Sequence, residues 1–307
     1  MGINIDYKHY LNYFDNVTMA EKKYFGKKEL KGEETDLAVI FPMHNSVDLT
    51  KILVNSLLKC QEQNKEKIEI IIVDNFSDIN VKMNMLIYLE HIQRIYSFNF
   101  LINFIDLSSD ISYSFTSGCP GSILNAFGLH AGIENIASKP KYIFLAHHDV
   151  MFTSSLWFSY LRDKISDDVK LAGFRKYYRD IDYLHVSGYM FQSSAFNLKE
   201  LDFFPSYEDN GRIVLDVGDK LSDLARIKNY KLFITNNTFN KNVNENLLTH
   251  PYNDCSFDRA VDHRNNVLFM HLGRGTSKAM IRDHNDKKKS FESWRKIYTI
   301  IFEDDIE

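Results

Sequence analysis

The apolar stretch YIFLA, residues 142–146, is followed directly by two histidines and an aspartate, His147, His148 and Asp149. Imidazole nitrogens and carboxylate oxygens are common metal ligands and hydrogen-bonding groups. Successive side chains of an extended segment point to opposite faces, so His148 is expected to point away from its two neighbours. We expect His148 to pack in the core or to support the other two, which leaves His147 and Asp149 as a candidate functional pair.

These polar residues need a scaffold, and the apolar runs of the chain indicate one. Strands are predicted at 36–42, 68–74, 100–107, 141–147 and 169–174. The runs are mostly apolar at successive positions, as are the strands of a parallel sheet that is covered on both faces. Apolar residues at helical spacing lie between them, at 48–62, 80–94 and 121–138. The alternation predicts a three-layer α/β/α sandwich with its ligand site at the carboxyl ends of the strands.

The segment after the first strand disfavours two classes of nucleotide-binding protein. It reads FPMHNS, residues 41–46, where a dinucleotide-binding fold has a G-x-G-x-x-G turn that lets the backbone approach a pyrophosphate. A G-x-x-x-x-G-K-[ST] phosphate loop is absent from the sequence as well. Neither hydride transfer nor P-loop chemistry is therefore supported.

Bulk composition narrows the class of protein further. The 307 residues include 37 lysines and arginines against 41 acidic residues, a formal charge of −4, so bulk charge does not indicate a nucleic-acid partner. Three separated cysteines form no C-x-x-C pair, which is typical of a reducing compartment. Residues 1–30 lack the apolar centre of a signal peptide, and no apolar run approaches the roughly 20 residues that span a bilayer. We expect a cytoplasmic protein whose membrane contact, if any, is peripheral and at the inner face.

Four motifs occur in an order and at spacings similar to those of a known family. They are the Pro42-x-x-Asn45 end of the first strand, IIIVDNFSD at 70–78, GSILNAFGLHAGIENIA at 121–137, and GYMFQSSAFNLKELDFF at 188–204. With the HHD sequence between the last two, residues 36–235 resemble the family 2 glycosyltransferases of GT-A fold. The resemblance implies a nucleotide-diphospho-sugar transferase fold with a mainly parallel central sheet.

An activity follows from the resemblance. It implies an inverting transferase that moves a sugar from a UDP-, GDP- or dTDP-activated donor to a hydroxyl of a saccharide or glycolipid. The habit of the family places such enzymes in bacterial surface polysaccharide or glycolipid synthesis. A nucleotidyltransferase is an alternative, although the first strand is not followed by the glycine-rich basic loop usual in that class. A non-catalytic nucleotide- or sugar-binding protein on a degenerate GT-A scaffold is another.

The resemblance also assigns a donor site. In the family the acid that ends the second strand reads the nucleobase, which implies this role for Asp74, since a carboxylate accepts hydrogen bonds from ring N–H groups. Turn chemistry is the alternative explanation of Asp74, and a helix start that of Asp78. The other implied donor-site residues are Pro42, Asn45, Asp78, Gly121, Asn125 and Gly188. For the glycines, turn and packing roles are equally open.

A divalent cation, Mn²⁺ or Mg²⁺, is implied against the donor diphosphate. The family has an Asp-x-Asp sequence at the end of a strand, and its last aspartate, which binds the metal, corresponds to Asp149. His147 stands in place of the first aspartate, as a metal ligand or as a contact to ribose or sugar. His271, at the end of the strand-like VLFMH, resembles a further ligand of several GT-A enzymes, and Arg274 a residue that holds the leaving diphosphate. Mg²⁺ prefers oxygen ligands, so a histidine in the site favours Mn²⁺.

Inverting transfer also needs a base that takes the proton of the acceptor hydroxyl. In the family an acidic pair at a helix start supplies it, often Glu-Asp. The sequence offers Asp216 and Asp219 but lacks the glutamate. We expect Asp216 to be the base and Asp219 to be the second choice, while acids in the first turn of a helix also interact favourably with its dipole.

Three parts of the chain are predicted. Residues 1–35 form an N-terminal extension, 36–235 the GT-A catalytic domain, and 236–307 a C-terminal segment that completes the donor site and ends in a helix. That helix is amphipathic and is expected to pack on the protein, with a homodimer contact or a membrane-surface role as alternatives.

Overall fold

The computed structural model describes the backbone of residues 21–107, 121–175, 182–208, 213–238, 243–253, 257–273 and 284–303. The helices are α1 (Val47–Gln61), α2 (Ile79–Ile95), α3 (Gly121–Glu134), α4 (Trp157–Arg162), α5 (Asp219–Ile227) and α6 (His284–Phe302). Short 3₁₀ turns lie at Lys28–Leu30, Ser193–Ala195, Leu198–Glu200 and Glu245–Leu247.

The strands are β1 (Glu21–Gly26), β2 (Glu34–Met43), β3 (Ile68–Asp74), β4 (Phe100–Asp106), β5 (Lys139–Ala146), β6 (Val150–Phe152), β7 (Val169–Arg175), β8 (Leu184–Gln192), β9 (Ser206–Tyr207), β10 (Ile213–Leu215), β11 (Lys231–Ile234), β12 (Asn236–Asn237), β13 (Asp258–Val261) and β14 (Val267–His271). Each strand and helix predicted from apolar spacing is present, with ends shifted by a few residues. The apolar runs supply enough buried side chains to fix these elements.

A central sheet of eight strands has the order β1-β4-β3-β2-β5-β8-β7-β11. Strands β2 to β5, β7 and β11 run in one direction, whereas β1 and β8 run against them. Helices α1, α2 and α4 pack on one face of this sheet, and α3 and α5 pack on the other. Each face of the sheet has its own apolar cluster. The prediction of a three-layer α/β/α sandwich with a mainly parallel sheet is confirmed.

The strand order changes direction at β2. The chain moves outward from β2 to β3 and β4, and then returns to place β5 on the other side of β2. At such a switch point the connections after the two neighbouring strands diverge and leave a crevice beyond their carboxyl ends. The segments after β2, β3 and β5, all singled out from the sequence, therefore meet at one edge of the sheet.

A second sheet of four strands, in the order β12-β13-β14-β6, lies beside this edge. β6 follows directly after His147–Asp149, and β14 pairs with it antiparallel, with His271 opposite Val150. The sequence did not predict this sheet, because its strands are two to five residues long and β6 pairs with β14 over more than a hundred residues of chain. It brings the C-terminal segment to the end of β5.

The last helix packs on this second sheet. In α6, Trp294 is fully buried and Tyr298 is 1% exposed, in an apolar cluster with Met151 and Met270. Packing, the expected role of the C-terminal helix, is thus confirmed for its described side chains.

No helix in the described part of the chain combines the length and apolarity needed to cross a membrane. At the other end, β1 of the predicted N-terminal extension adds an edge strand to the central sheet.

Candidate functional site

His147, Asp149 and His271 converge at the carboxyl end of β5. Each offers one ligand atom, and these atoms all lie within 4.8 Å of one another. The Nε2 atom of His271 is 3.3 Å from Oδ1 of Asp149. We call these three residues the His-Asp-His cluster.

Backbone pairing between β6 and β14 holds the cluster together. The N–H of Leu272 donates to the carbonyl of Asp149 at 3.0 Å, and the N–H of Gly273 donates to Asp149 Oδ2 at 3.2 Å. Gly273 has a φ of 63°, which favours glycine at this turn. The geometry of the cluster is thus fixed by main-chain bonds and does not depend on flexible side chains alone.

The protonation of the cluster suits a cation that accepts nitrogen ligands. Burial lowers the pKa of His147 to about 3, so that this imidazole is neutral at pH 7. Burial also opposes the charge on His271, but the carboxylates of Asp149 and Asp258 outweigh it and raise the pKa of His271 to about 9. Against the effect of its own burial, the nearby histidines hold the pKa of Asp149 well below its usual range. The proton on His271 has to leave when a metal binds there.

One carboxylate and two imidazoles fit Mn²⁺ or another transition-metal ion better than Mg²⁺, which strongly prefers oxygen. Asn125, on α3, places its Nδ2 atom 2.6 Å from Nε2 of His147 and so orients this ring. Helix α3 can approach the sheet because Gly132 faces Ile40, where a Cβ atom would lie 2.4 Å from Cγ2 of the isoleucine. Asn125, which was predicted in the donor site, thus contacts His147 of the cluster.

His148 lies outside the cluster. Its ring is half-buried and hydrogen-bonded to the carbonyl of Pro42, and burial lowers its pKa. His148 thereby ties the end of β5 to the end of β2, in line with the supporting role predicted for it.

A second buried carboxylate, Asp74, ends β3. Its side chain is fully buried, and Ser77 donates its backbone N–H to Oδ2 at 3.4 Å. The Oδ1 atom of Asp74 has no hydrogen-bond partner among the described residues. Burial raises the pKa of Asp74 to about 6, aided by the neighbouring Asp106 and opposed by the Ser77 bond and by Lys82. A buried acceptor without a donor is destabilising unless a ligand supplies the donor.

The loops after β2 and β3 lock each other. Asn45, with a φ of 47°, receives the Asp78 backbone N–H on Oδ1 at 2.9 Å and donates its own N–H to Ser77 Oγ at 2.9 Å. Asp78 is exposed and stands at the N-cap of α2, which corresponds to the alternative explanation of that residue. Asn45 therefore shapes the edge of the crevice through the backbone beside Asp74.

The two glycines predicted in the donor site, Gly121 and Gly188, differ in their surroundings. A Cβ atom on Gly188 would lie 2.4 Å from Cε2 of Phe269, so core packing requires glycine there. Gly121 is exposed, and a Cβ atom there would meet nothing within 4 Å among the described residues. Arg274 lies outside the described residues.

The two candidate bases occupy different environments. Asp219 is fully buried at the start of α5, where its Oδ2 accepts the backbone N–H of Asp216 at 2.9 Å. Asp216 is half-buried, and its Oδ1 accepts the N–H of Val217 at 2.8 Å. Burial is the main cause of the pKa shifts of His147, which it lowers, and of Tyr207, which it raises. Asp216 is close enough for its charge to raise both pKa values. Asp216 thus lies near the His-Asp-His cluster, whereas Asp219 holds the loop that carries it.

Two residues of the site were not predicted. His185, in β8, has its ring centroid 5.7 Å from that of His147 and 5.5 Å from that of His271. Asp258, in β13, places Oδ2 3.6 Å from Nδ1 of His271. His185 lies three residues before the motif that begins at Gly188, and only the antiparallel direction of β8 takes it past the end of β5. No local sequence signal marks Asp258.

No protein-family model and no curated protein matches the chain. Among solved structures, the mannosyltransferase PcManGT from Pyrobaculum calidifontis, in complex with GDP-Man and Mn²⁺, is 11% identical with a TM-score of 0.46, over 73% of this chain and 61% of that one. The glucosyl-3-phosphoglycerate synthase from Mycobacterium tuberculosis, in complex with Mn²⁺ and UDP-glucose, is 10% identical with a TM-score of 0.39, over 65% and 68%. The galactosyltransferase LgtC, in complex with donor and acceptor sugar analogs, is 15% identical with a TM-score of 0.36, over 53% and 58%.

All three are glycosyltransferases, and each likeness has a TM-score below 0.5. The chain spans 61% of the length of the mannosyltransferase and 58% of that of LgtC. Because one fold hosts many activities, the function has to be argued from the side chains of the site.

Proposed function

We propose that the protein is an inverting, metal-assisted glycosyltransferase that uses a nucleotide-activated sugar. The observation that carries the proposal is the buried His-Asp-His cluster beside a second buried carboxylate, Asp74, whose Oδ1 has no hydrogen-bond partner among the described residues. A cation that neutralises the diphosphate and an acceptor for the N–H groups of the base are two features that suit a nucleotide sugar.

The spacing of the two features suits one ligand. Asp74 ends β3 and His147 follows β5, and the two strands are separated only by β2. Two steps across a sheet are about 10 Å. A nucleoside diphosphate can span such a distance, with a ring N–H of the base on Asp74 and its phosphates at the His-Asp-His cluster.

The cation at the cluster would neutralise charge on the diphosphate as it leaves. Asp149, His147 and His271 would hold it, and the nitrogen ligands favour Mn²⁺ over Mg²⁺. Since His147 and Asp149 lie in the turn between β5 and β6 and His271 ends β14, the diphosphate would be bound in one orientation before the reaction begins.

The transfer itself is a single displacement. The acceptor oxygen forms a bond to the anomeric carbon while the bond from that carbon to the diphosphate oxygen breaks, and the electron pair leaves with the diphosphate. Asp216 takes the proton of the acceptor hydroxyl. Its position near His147 and Tyr207 supports this role, and Ser122 Oγ lies 3.1 Å from the Tyr207 hydroxyl, which adds polar groups for a sugar acceptor.

We further propose a saccharide or glycolipid acceptor, a role in bacterial polysaccharide or glycolipid synthesis, and action in the cytoplasm at the inner face of the membrane. The division into an N-terminal extension, residues 1–35, a catalytic domain, 36–235, and a C-terminal segment, 236–307, belongs to this proposal. The pairing of β14 with β6 supports the last part, since it brings His271 to Asp149.

A binding and hydrolysis screen tests the proposal. Calorimetry with UDP, GDP and dTDP, with and without Mn²⁺, is expected to show binding of at least one nucleotide that is tighter with the metal. The matching sugar donors should then be hydrolysed slowly without acceptor. Metal-dependent binding without turnover of any donor would favour a non-catalytic scaffold, and binding of none of the nucleotides would contradict the proposal.

A further inference from the structure

Three histidine rings, on three different strands or turns, form a nearly equilateral triangle at the site. The ring centroids of His147 and His271 are 5.6 Å apart, and that of His185 is 5.7 Å from the first and 5.5 Å from the second. His185 belongs to β8, is half-buried and has no part in the mechanism above. Its position requires an explanation.

Ring separation alone would allow His185 to be a third nitrogen ligand. Imidazole nitrogens bind ions such as Zn²⁺ at about 2.1 Å, so three rings on one ion have their centres roughly 5 Å apart. The observed separations are close to this value, and the hydrogen bonds of the ring therefore have to decide between a ligand and another role.

Those bonds fix the protonation of His185. The backbone N–H of Ser187 donates to Nδ1 of His185 at 3.2 Å, and the Ser187 hydroxyl lies 2.6 Å from the same nitrogen. A backbone N–H is only a donor, so Nδ1 is an acceptor without a proton. The ring proton of neutral His185 is then on Nε2.

This arrangement disfavours His185 as a metal ligand. An ion on Nε2 would displace that proton and leave neither nitrogen protonated, whereas metal-binding histidines ordinarily keep a proton on the other nitrogen and donate it to a partner. The backbone N–H at Nδ1 cannot turn to accept such a proton, unlike the Asn125 amide beside Nε2 of His147, whose oxygen can take the place of its nitrogen. In agreement, the cluster of atoms within 4.8 Å contains His147 and His271 but not His185.

We infer that His185 is a hydrogen-bond donor to the phosphate that binds at the His-Asp-His cluster. Phosphate oxygens are acceptors, and an N–H beside the ion would bind them in a fixed direction and stabilise the charge that develops on the leaving diphosphate. The inference rests on the proposed function. In this arrangement Ser187 is a positioning residue, since it selects the tautomer that donates.

Two variants separate a donor from a ligand. In His185→Gln the side-chain amide can still donate near the position of Nε2, whereas His185→Leu fills similar space without a donor. Mn²⁺ alone is titrated by electron paramagnetic resonance. The nucleoside diphosphate that binds the wild type best is then titrated by calorimetry at saturating Mn²⁺.

Both variants are expected to bind Mn²⁺ alone within about twofold of the wild type. His185→Leu should bind the nucleoside diphosphate at least about tenfold more weakly, the scale of a hydrogen bond to a charged group, and His185→Gln should recover most of the loss. A tenfold loss of Mn²⁺ affinity in both variants would overturn the inference in favour of a metal ligand. Unchanged diphosphate affinity in His185→Leu would overturn it as well.

The nucleoside diphosphate used in this titration carries no sugar. If His185→Leu lost affinity only for the complete sugar donor, His185 would be assigned to the sugar hydroxyls, which would contradict the phosphate contact. If the wild type binds no nucleoside diphosphate with Mn²⁺, the proposed function itself fails, which differs from failure in the variants alone.

Nitrogen-15 NMR of the metal-free wild type tests the tautomer directly. The signals of His185, assigned by their loss in His185→Gln, should show a protonated Nε2 and a bare Nδ1. A proton on Nδ1 would refute the donor assignment.

Discussion

Asp74 ends β3 and Asp149 follows β5, and both carboxyl groups are buried. Their environments shift the pKa values of these two groups in opposite directions. Asp149 is surrounded by histidines, which hold its pKa well below the ordinary value despite its burial. Asp74 is also buried, but the pKa of its carboxyl is raised to about 6, mainly because burial removes water without supplying enough donors. One carboxylate has its counter-charges within the fold, whereas the other is suited to receive a donor from a ligand.

The difference follows from how each site is assembled. Asp149 meets His271 through pairing of β6 with β14, which joins segments more than a hundred residues apart. The Asp74 side chain receives its described hydrogen bonds from Ser77, three residues later in the same turn, with Asp106 and Lys82 nearby. Long-range pairing has completed the first site, and a local turn has left the second with an unmatched acceptor.

The largest effect is expected at the paired aspartate. Asp149→Ala should abolish Mn²⁺-dependent binding of a nucleoside diphosphate, because it removes the only carboxylate of the His-Asp-His cluster. Calorimetry with and without Mn²⁺ measures the loss. His148→Ala is the matched control, since it changes the adjacent residue outside the cluster, and it should lower the melting temperature while keeping Mn²⁺ affinity. Tight Mn²⁺-dependent binding in the Asp149 variant would remove the metal role from this residue.

The next effect concerns turnover. Asp216→Asn should lower the rate of transfer by about 10²–10⁴-fold, the range for a lost general base, with donor affinity nearly unchanged. Asp219→Asn keeps an oxygen that can accept the Asp216 N–H and should retain most activity. Steady-state kinetics of both variants separate the two acids. The opposite pattern would move the base to Asp219 and leave the rest of the mechanism in place.

The third prediction concerns Asp74, whose Oδ1 atom has no hydrogen-bond donor among the described residues. Asp74→Asn should weaken nucleoside diphosphate binding by about 1–3 kcal/mol, the scale of a hydrogen bond between a base N–H and a carboxylate. At Mn²⁺ concentrations that saturate the site at every pH, so that the His271 proton stays displaced, the wild-type affinity should level off above pH 7. It should fall by up to about tenfold per pH unit below the Asp74 pKa of about 6, because the ionised carboxylate is the acceptor. Calorimetry between pH 5 and 8 measures both. A variant with wild-type affinity and an unchanged pH profile would exclude Asp74 from the base site.

The same contrast explains what the sequence could predict. The strands β2 to β5 and helices α1 to α3 were found because nearly every strand position is apolar and the helices keep their spacing. Asp74, Asp149 and His271 were noticed because they end such runs. Each of these signals is local, within one strand and the turn that follows it.

The remaining features depend on pairing between distant segments. The short strands β12 and β13 carry too few residues for a periodic pattern, and the reversed direction of β8 has no local signature. His185 and Asp258 enter the site only through those strands. The separation of Asp216 from Asp219 likewise needed the turn geometry, since both acids are compatible with a helix start.

The last prediction concerns the stability of the protein without ligand. The folded state holds the Asp74 pKa at about 6, above its value of 3.8 in the unfolded chain, so the folded protein binds the proton more tightly. Ionising the buried Asp74 therefore costs the folded state no free energy of stability below pH 3.8. This cost grows as the pH rises from 3.8 to about 6, and above pH 6 it is complete. Asp74→Asn should stabilise the ligand-free protein at pH 7.5 by about 1–3 kcal/mol, and by much less at pH 4.5. Urea unfolding at the two pH values measures this gap. A saturating nucleoside diphosphate with Mn²⁺ should narrow it, since the wild type gains the missing donor, and a gap that is the same at both pH values would contradict the raised pKa.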